Sequence, residues 1–222
     1  MKDRKSSGQV TTNKEHILAK LRNAVMEKPE AMFEDIDLQS DTWNPIKEED
    51  GNAITFVQKF KDMGGIFIYL ENKAELGECL KQLAPQNNWE PIWCPNPKVQ
   101  SLLDKFGVDY CAEPDMENRK RIACIVPCEY LIAQTGSIIL TDGGAGSRKA
   151  YTMSDILLVV AHTDQIVGGL KEALQSLKER LGDQVVTQAV ILTGLTQTCD
   201  IEQEIVKGVF GARQIAVFLV DE

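Results

Sequence analysis

The chain has 222 residues, of which 43% are apolar and 26% charged, and its 24 basic and 33 acidic side chains give a formal net charge of −9. That composition is ordinary for a globular protein with room for one large core. The acidic balance argues against nucleic-acid binding, because neutralising phosphates takes an excess of lysine and arginine.

No apolar run approaches the roughly 20 residues that a membrane-crossing helix needs. The N-terminal MKDRKSSGQV is charged and lacks the apolar stretch of a secretory signal, so a cytoplasmic location is expected. Residues 1–10 are polar and read as a disordered tail. Thr12 can cap a helix over 13–27, in which Ile17, Leu18, Leu21 and Val25 make one apolar stripe. Residues 28–52 carry Pro29, Pro45 and the acidic cluster Glu48, Glu49 and Asp50, and read as a surface crossover. A helix and crossover over 11–52 therefore precede an α/β domain over 53–222.

In that domain helices and strands alternate. A helix over 53–63 ends at Gly64 and Gly65, followed by a strand over 66–70 and a helix over 73–83. A strand over 91–94, a helix over 98–106 and a strand over 123–126 come next. The run 156–161 is apolar throughout, as in a strand covered on both faces. An amphipathic helix over 164–180 carries Ile166, Leu170, Leu174 and Leu177. A strand over 188–192, a short helix over 200–206 and a strand over 214–220 complete the chain. The alternation implies a mostly parallel sheet with helices on both faces. Between 137 and 161 two strand-like runs follow one another without a helix, which predicts a local antiparallel hairpin.

Six cysteines, Cys79, Cys94, Cys111, Cys124, Cys128 and Cys199, are scattered. Cys124 and Cys128 have no second Cys/His pair nearby, so free thiols are expected rather than a metal site.

The densest cluster of glycine, hydroxyl and basic residues lies within 129–151. Its loop, Gly143-Gly144-Ala145-Gly146-Ser147-Arg148-Lys149, lacks the G-K-[ST] ending of a P-loop and the last glycine of G-x-G-x-x-G, which excludes a nucleotide P-loop. Two readings stay open: an anion site made by loop N–H groups and Arg148, or a plain hairpin loop between Leu140 and Ile156. Upstream, Gln134-Thr135-Gly136-Ser137 either turns amides toward a ligand crevice or ends a helical turn over 130–134 with Gly136. A third stretch runs from Thr193 to Glu202. Asp200 and Gln203 have capping-box spacing, Thr198 is an alternative cap, and a helix start there would make an anion site. Capping alone accounts for Asp200, whereas Glu202 is a candidate exposed carboxylate.

Of the two histidines, His16 is expected on an exposed helix face. His162 ends the buried strand, where α/β folds place function, although Thr163 or Asp164 can simply cap the following helix. No G-x-S-x-G stands in the chain, which argues against a serine hydrolase.

These stretches resemble the LUD-domain lactate-utilisation proteins of the LutC/YkgG type. The likeness rests on Ala133-Gln134-Thr135-Gly136-Ser137, on a basic residue near Arg148, and on Met153-Ser154-Asp155 before the buried strand. Thr193-Gly194, Thr198, Asp200-Ile201-Glu202 and Gly208-Val209 with Gly211 complete it. Gln134 stands where the family has glutamate, Phe210 and Leu157 where histidines are common, and Ala212 where it has proline. The resemblance implies a CoA-transferase-like fold and a role in a cytoplasmic complex that oxidises L-lactate to pyruvate. Iron–sulfur clusters would reside on partner oxidoreductase subunits, with no cofactor in this chain, and a homodimer is compatible with the sequence. The substrate-binding candidates are Thr135, Gly136, Ser137, Asp142, Gly143, Gly144, Arg148, Thr193, Gly194 and Thr198, holding a small organic anion. Asp200 and Glu202 are the catalytic candidates. The alternative is a stand-alone enzyme or binding protein on the same fold for a phosphorylated or CoA-linked small molecule.

Overall fold

The computed structural model describes residues 13–26, 51–89, 91–115, 121–184, 186–199 and 205–221. The chain divides into two units, one up to Thr42 and one from Trp43. In the first, helix α1 (Asn13–Met26) forms where the apolar stripe predicts it, and Ile17, Leu18 and Leu21 are exposed.

The second unit is built on six parallel strands in the order β1-β12-β7-β4-β2-β3. They are β1 (Ile66–Leu70), β2 (Ile92–Trp93), β3 (Tyr110–Cys111), β4 (Ala123–Pro127), β7 (Ile156–His162) and β12 (Gln214–Val220). The central strand β7 is paired along its whole length with β12 and also with β4. Its side chains alternate between two cores. Leu157, Val159 and Ala161 face one, and Ile156, Leu158 and Val160 face the other. That double burial is why 156–161 reads as an unbroken apolar run.

Helices α3 (Lys73–Asn87) and α4 (Pro97–Phe106) cover one face through Leu76, Leu80, Val99 and Leu103. Both start at an asparagine cap. Asn72 accepts the Glu75 amide, and Asn96 accepts the amides of Lys98 and Val99. Helix α3 runs past the expected end at residue 83 because Pro85 sits in its last turn and Asn88, at φ 57°, closes it.

The other face is covered by helix α2 (Gly51–Asp62) and a four-stranded sheet in the order β8-β5-β6-β9. These strands are β5 (Tyr130–Ile132), β6 (Ser137–Thr141), β8 (Ile166–Val167) and β9 (Ala189–Leu192). Leu131, Ala133, Ile138 and Leu140 point to the main sheet, while Ile132 and Ile139 point to helix α7 (Leu170–Leu181). Four layers result: helices, parallel sheet, small sheet, helix. Phe56 and Phe60 of α2 stack at 5.4 Å and are fully buried, each contributing about 1.5–3 kcal/mol by leaving water.

Four expectations are corrected. The antiparallel pair is β5–β6, with β6–β9 on its other side, rather than a pairing of 137–141 with 156–161. Strand β6 is paired on both sides in the small sheet and β7 on both sides in the large one, so neither has an edge for the other. Residues 142–153 are not an open loop but two short helices, α5 (Asp142–Ala145) and α6 (Lys149–Met153). Helix α7 begins at Leu170 instead of 164, since Ile166 and Val167 are drawn into β8 and Gly168-Gly169 break the chain before the helix. Of the last short helix expected over 200–206, residues 200–204 lie outside the described residues, and 205–206 belong to strand β11 (Ile205–Lys207), which pairs antiparallel with β10 (Gln197–Cys199), Cys199 opposite Ile205.

Candidate functional site

The expected site residues fall at the two ends of the β6–β9 pair. Ser137 starts β6 and Thr141 ends it, a separation of roughly 13 Å at the usual rise of a strand. At the first end, Thr135 Oγ1 lies 2.6 Å from Ser137 Oγ, which lies 2.7 Å from Thr193 Oγ1. This chain of hydroxyls joins the β5–β6 turn to the end of β9, so the first and third sequence stretches do meet.

Glycines at that junction serve packing. Gly136 has φ 65°, and a Cβ there would stand 2.6 Å from the Phe60 backbone nitrogen. Gly194 has φ 70°, and its Cβ would stand 2.7 Å from Met63 Cβ. Both let the carboxyl end of α2 press against the small sheet. The 130–134 stretch is a strand entering a turn, not a helical turn, and the Gly136 amide is taken by Ile132 O at 2.9 Å.

At the other end the loop amides are also engaged. Gly143 N donates to Asp142 Oδ1 at 3.1 Å, and Gly144 N donates to Thr141 Oγ1 at 2.9 Å. These two of the amides expected to cradle an anion are therefore occupied within the protein, the Gly144 amide by the Thr141 cap of α5. Arg148 is exposed at the start of α6. Burial pushes the Tyr151 phenol above its ordinary range, the Asp142 carboxylate adds to this, and Arg148 opposes it. Thr198 lies exposed in β10 opposite Val206, so it caps no helix. Asp200 and Glu202 lie outside the described residues.

The structure builds a different polar cluster, at the carboxyl ends of the parallel strands. There a crevice of about 490 Å³ is bordered by Glu129, Tyr130, His162, Asp164, Arg180 and Lys73. In open α/β sheets this edge is the usual place for ligands. Glu129 follows β4 and is 8% exposed. Its carboxylate accepts the Thr141 hydroxyl and pairs with the Arg180 guanidinium, which also lies 5.1 Å from the Tyr130 ring centroid. Gln165 ties the strand ends together. Its amide nitrogen donates to Cys128 O at 2.8 Å and Glu129 O at 3.2 Å, and its oxygen accepts His162 N at 2.7 Å.

Gly144 is the link between this cluster and the Gly-rich stretch. A Cβ there would overlap the Glu129 carboxylate and stand 2.8 Å from Thr141 Oγ1. Asn96 Nδ2 holds the Gly144 carbonyl at 2.6 Å. The glycine-rich sequence makes room for a buried carboxylate rather than wrapping a phosphate. Burial raises the Tyr130 phenol above its usual range, with Asp164 and Glu179 adding to it, and pushes the Cys128 thiol up to about 12. The arrangement therefore offers a fixed carboxylate–guanidinium pair, an imidazole, an ammonium and the two further carboxylates of Asp164 and Asp221, and its Cys128 thiol is not activated.

Residues 121–220 match the family model of the LUD domain. This segment is similar to the LUD domain. The match spans β4 to β12 and so includes most of the crevice. Over 99 residues the chain is 30% identical to "Lactate utilization protein C" of Deinococcus radiodurans, an alignment covering 44% of this chain and 46% of that protein. The match thus spans about half the length of the curated relative. A crystal structure of a DUF162 family protein from Deinococcus radiodurans superposes with a TM-score of 0.59 at 19% identity, covering 79% of this chain and 99% of that one. That likeness carries the fold alone, and it agrees with the mostly parallel α/β architecture expected from the sequence.

Within the matched segment, the departures from the family pattern have plain structural places. Leu157 is fully buried in the core between β4 and β12, and Gln134 is half-buried, its backbone N–H donating to Gly168 O at 3.0 Å. Phe210 is 76% exposed. Glu129 and Arg180 escaped the sequence reading. Glu129 had a signal, a carboxylate directly after a strand end. Arg180 had none, since its partner lies 51 positions upstream.

Proposed function

We propose that this chain acts in lactate utilisation in a LutC-like role, working with partner subunits that carry the iron–sulfur clusters. The observation that carries this reading is the 30% identity to lactate utilization protein C, which falls on the LUD segment. The chain's own contribution is the crevice at the strand ends, where a small organic anion fits. Lys73 and Arg180 supply positive charge beside the carboxylates of Glu129, Asp164 and Asp221, and His162 lines the same opening, where an imidazole can exchange a proton with a ligand. The Glu129–Thr141 contact holds Arg180 at the rim, so the guanidinium is positioned before a ligand arrives.

This reading is preferred to the arrangement around Arg148, because the Gly143 and Gly144 amides already have acceptors within the protein. The test is deletion of the gene from its host, followed by growth with L-lactate as the only carbon source. Loss of growth on lactate, with growth on glucose unchanged and rescue by the wild-type gene, is expected. Unimpaired growth on lactate would overturn the reading.

A further inference from the structure

A second cavity lies at the opposite edge of the parallel sheet, beside the amino ends of β4, β7 and β12. Its volume is about 550 Å³, within the range of small-molecule sites. It is bordered by Arg121 before β4, by Thr152 and Asp155 before β7, and by Arg213 and the 208–211 loop before β12. Two of the stretches that carry the family likeness, Met153-Ser154-Asp155 and Gly208-Val209 with Gly211, therefore converge on one cavity that the crevice does not use.

The chemistry of this cavity is mixed in a specific way. Arg121 and Arg213 are exposed guanidinium groups, and among the described residues neither is engaged in an ion pair. Two such forks facing one cavity suit a phosphate group, which they can bind in bidentate fashion. Beside them stand acceptors. Asp155 Oδ2 takes the Ile122 amide at 3.0 Å, which leaves its other oxygen to accept from a ligand. Thr152 already donates its hydroxyl proton to the Arg148 carbonyl at 3.1 Å, so its oxygen is left as an acceptor. A bare anion has no use for acceptors. A phosphate ester with sugar hydroxyls does.

The 208–211 loop adds a flat apolar surface on a fixed backbone. Thr196 clamps both ends of the loop. Its carbonyl accepts Gly208 N at 2.7 Å, and its hydroxyl donates to Phe210 O at 2.6 Å. Gly208 at φ 68° and Gly211 at φ 77° set the turns on either side. The loop thus presents Phe210, 76% exposed, at the border of a basic cavity. An aromatic face next to arginines and acceptors matches a base, a ribose and a phosphate together.

We propose that this cavity binds a nucleotide-class ligand, with Arg121 and Arg213 on phosphate, Asp155 and Thr152 accepting from ribose hydroxyls, and Phe210 against the base. The test is isothermal titration of the full chain with three probes: adenosine monophosphate, adenosine and inorganic phosphate. Binding of the nucleotide at least tenfold tighter than either fragment is expected. Arg121→Gln with Arg213→Gln should abolish it, and Phe210→Ser should weaken it roughly five- to tenfold, the low end of base–aromatic stacking. Each variant is first checked for unchanged circular dichroism and thermal midpoint. Because every substituted residue is exposed, a folding failure is not expected, and Arg213→Lys serves as a milder second variant that should retain partial binding. No saturable binding below about 1 mM, a weak-affinity bound, would overturn the proposal. So would phosphate binding as tightly as the nucleotide, or nucleotide binding indifferent to both arginines.

Discussion

Gly136→Ala, set against Gly51→Ala, tests whether the small-residue turn serves packing. The two glycines have nearly the same φ, 65° and 63°, so an alanine is strained to a similar degree at both, by roughly 1–2 kcal/mol. In both cases alanine also narrows the unfolded ensemble, which offsets roughly 0.4–1 kcal/mol. Their surroundings differ. At Gly51 nothing stands within 4 Å of an added Cβ, whereas at Gly136 the Lys59 carbonyl carbon and the Phe60 nitrogen stand at 2.7 and 2.6 Å. Those are backbone atoms of a helix whose Phe56 and Phe60 are fully buried, so relief requires moving α2 out of the core. Overpacking of that kind costs about 1–3 kcal/mol beyond the strain. The net expectation is a loss of about 0–1.5 kcal/mol for Gly51→Ala and about 1–4 kcal/mol for Gly136→Ala. In urea denaturation with a slope of about 2 kcal/mol/M, the Gly136 midpoint should lie roughly 0.5–1.5 M below the Gly51 midpoint. Coincident midpoints would refute the packing of α2 against this turn.

Other predictions concern the crevice and the thiols. Arg180→Met should cost about 1–3 kcal/mol by leaving the Glu129 carboxylate with Thr141 as its remaining partner, a figure reduced because the arginine is partly exposed. Combining it with Glu129→Gln should recover at least about 1 kcal/mol in a double-mutant cycle, and additivity would show the two side chains to be uncoupled. Gly144→Ala should displace the Glu129 carboxylate, visible as loss of the Arg180 coupling in the same cycle. For Cys128, the folded thiol is raised to about 12, above its unfolded value, so its contribution is intact below the unfolded value and is lost as pH rises toward 12. Stability measured between pH 9 and 11 should fall by about 1.4 kcal/mol per pH unit more in the wild type than in Cys128→Ala. An equal slope would contradict the burial assigned to that thiol.

The parallel sheet was legible because its central strands are buried on both faces. The runs 156–161 and 214–220 leave little choice but a doubly covered strand. Short strands were not. Tyr110-Cys111 and Ile166-Val167 hold two residues each, too few for any periodicity, and exist through their neighbours. Ile166 even fitted a helical stripe with Leu170, Leu174 and Leu177, and only Gly168-Gly169 hinted that the helix begins later. At the site, glycines signalled close approach correctly but not what approaches. At Gly136 and Gly194 it is a helix end, and at Gly144 a carboxylate. The Ser137–Thr193 contact joins two stretches that the sequence had singled out, whereas the Glu129–Arg180 pair depends on the packing of α7 against β5, which no local spacing encodes.

The central proposal is that this chain serves lactate utilisation through the crevice at its strand ends. The most direct measurement is lactate-dependent reduction of an artificial electron acceptor in extracts of a deletion strain carrying either the wild-type gene or Lys73→Ala. Deletion should abolish the activity, the wild-type gene should restore it, and Lys73→Ala should raise the lactate concentration needed for half-maximal rate about tenfold or more, as expected for removal of a charged partner. Full activity in the deletion strain would contradict the role in lactate utilisation. Wild-type kinetics with Lys73→Ala would contradict the crevice as the place where the anion is held.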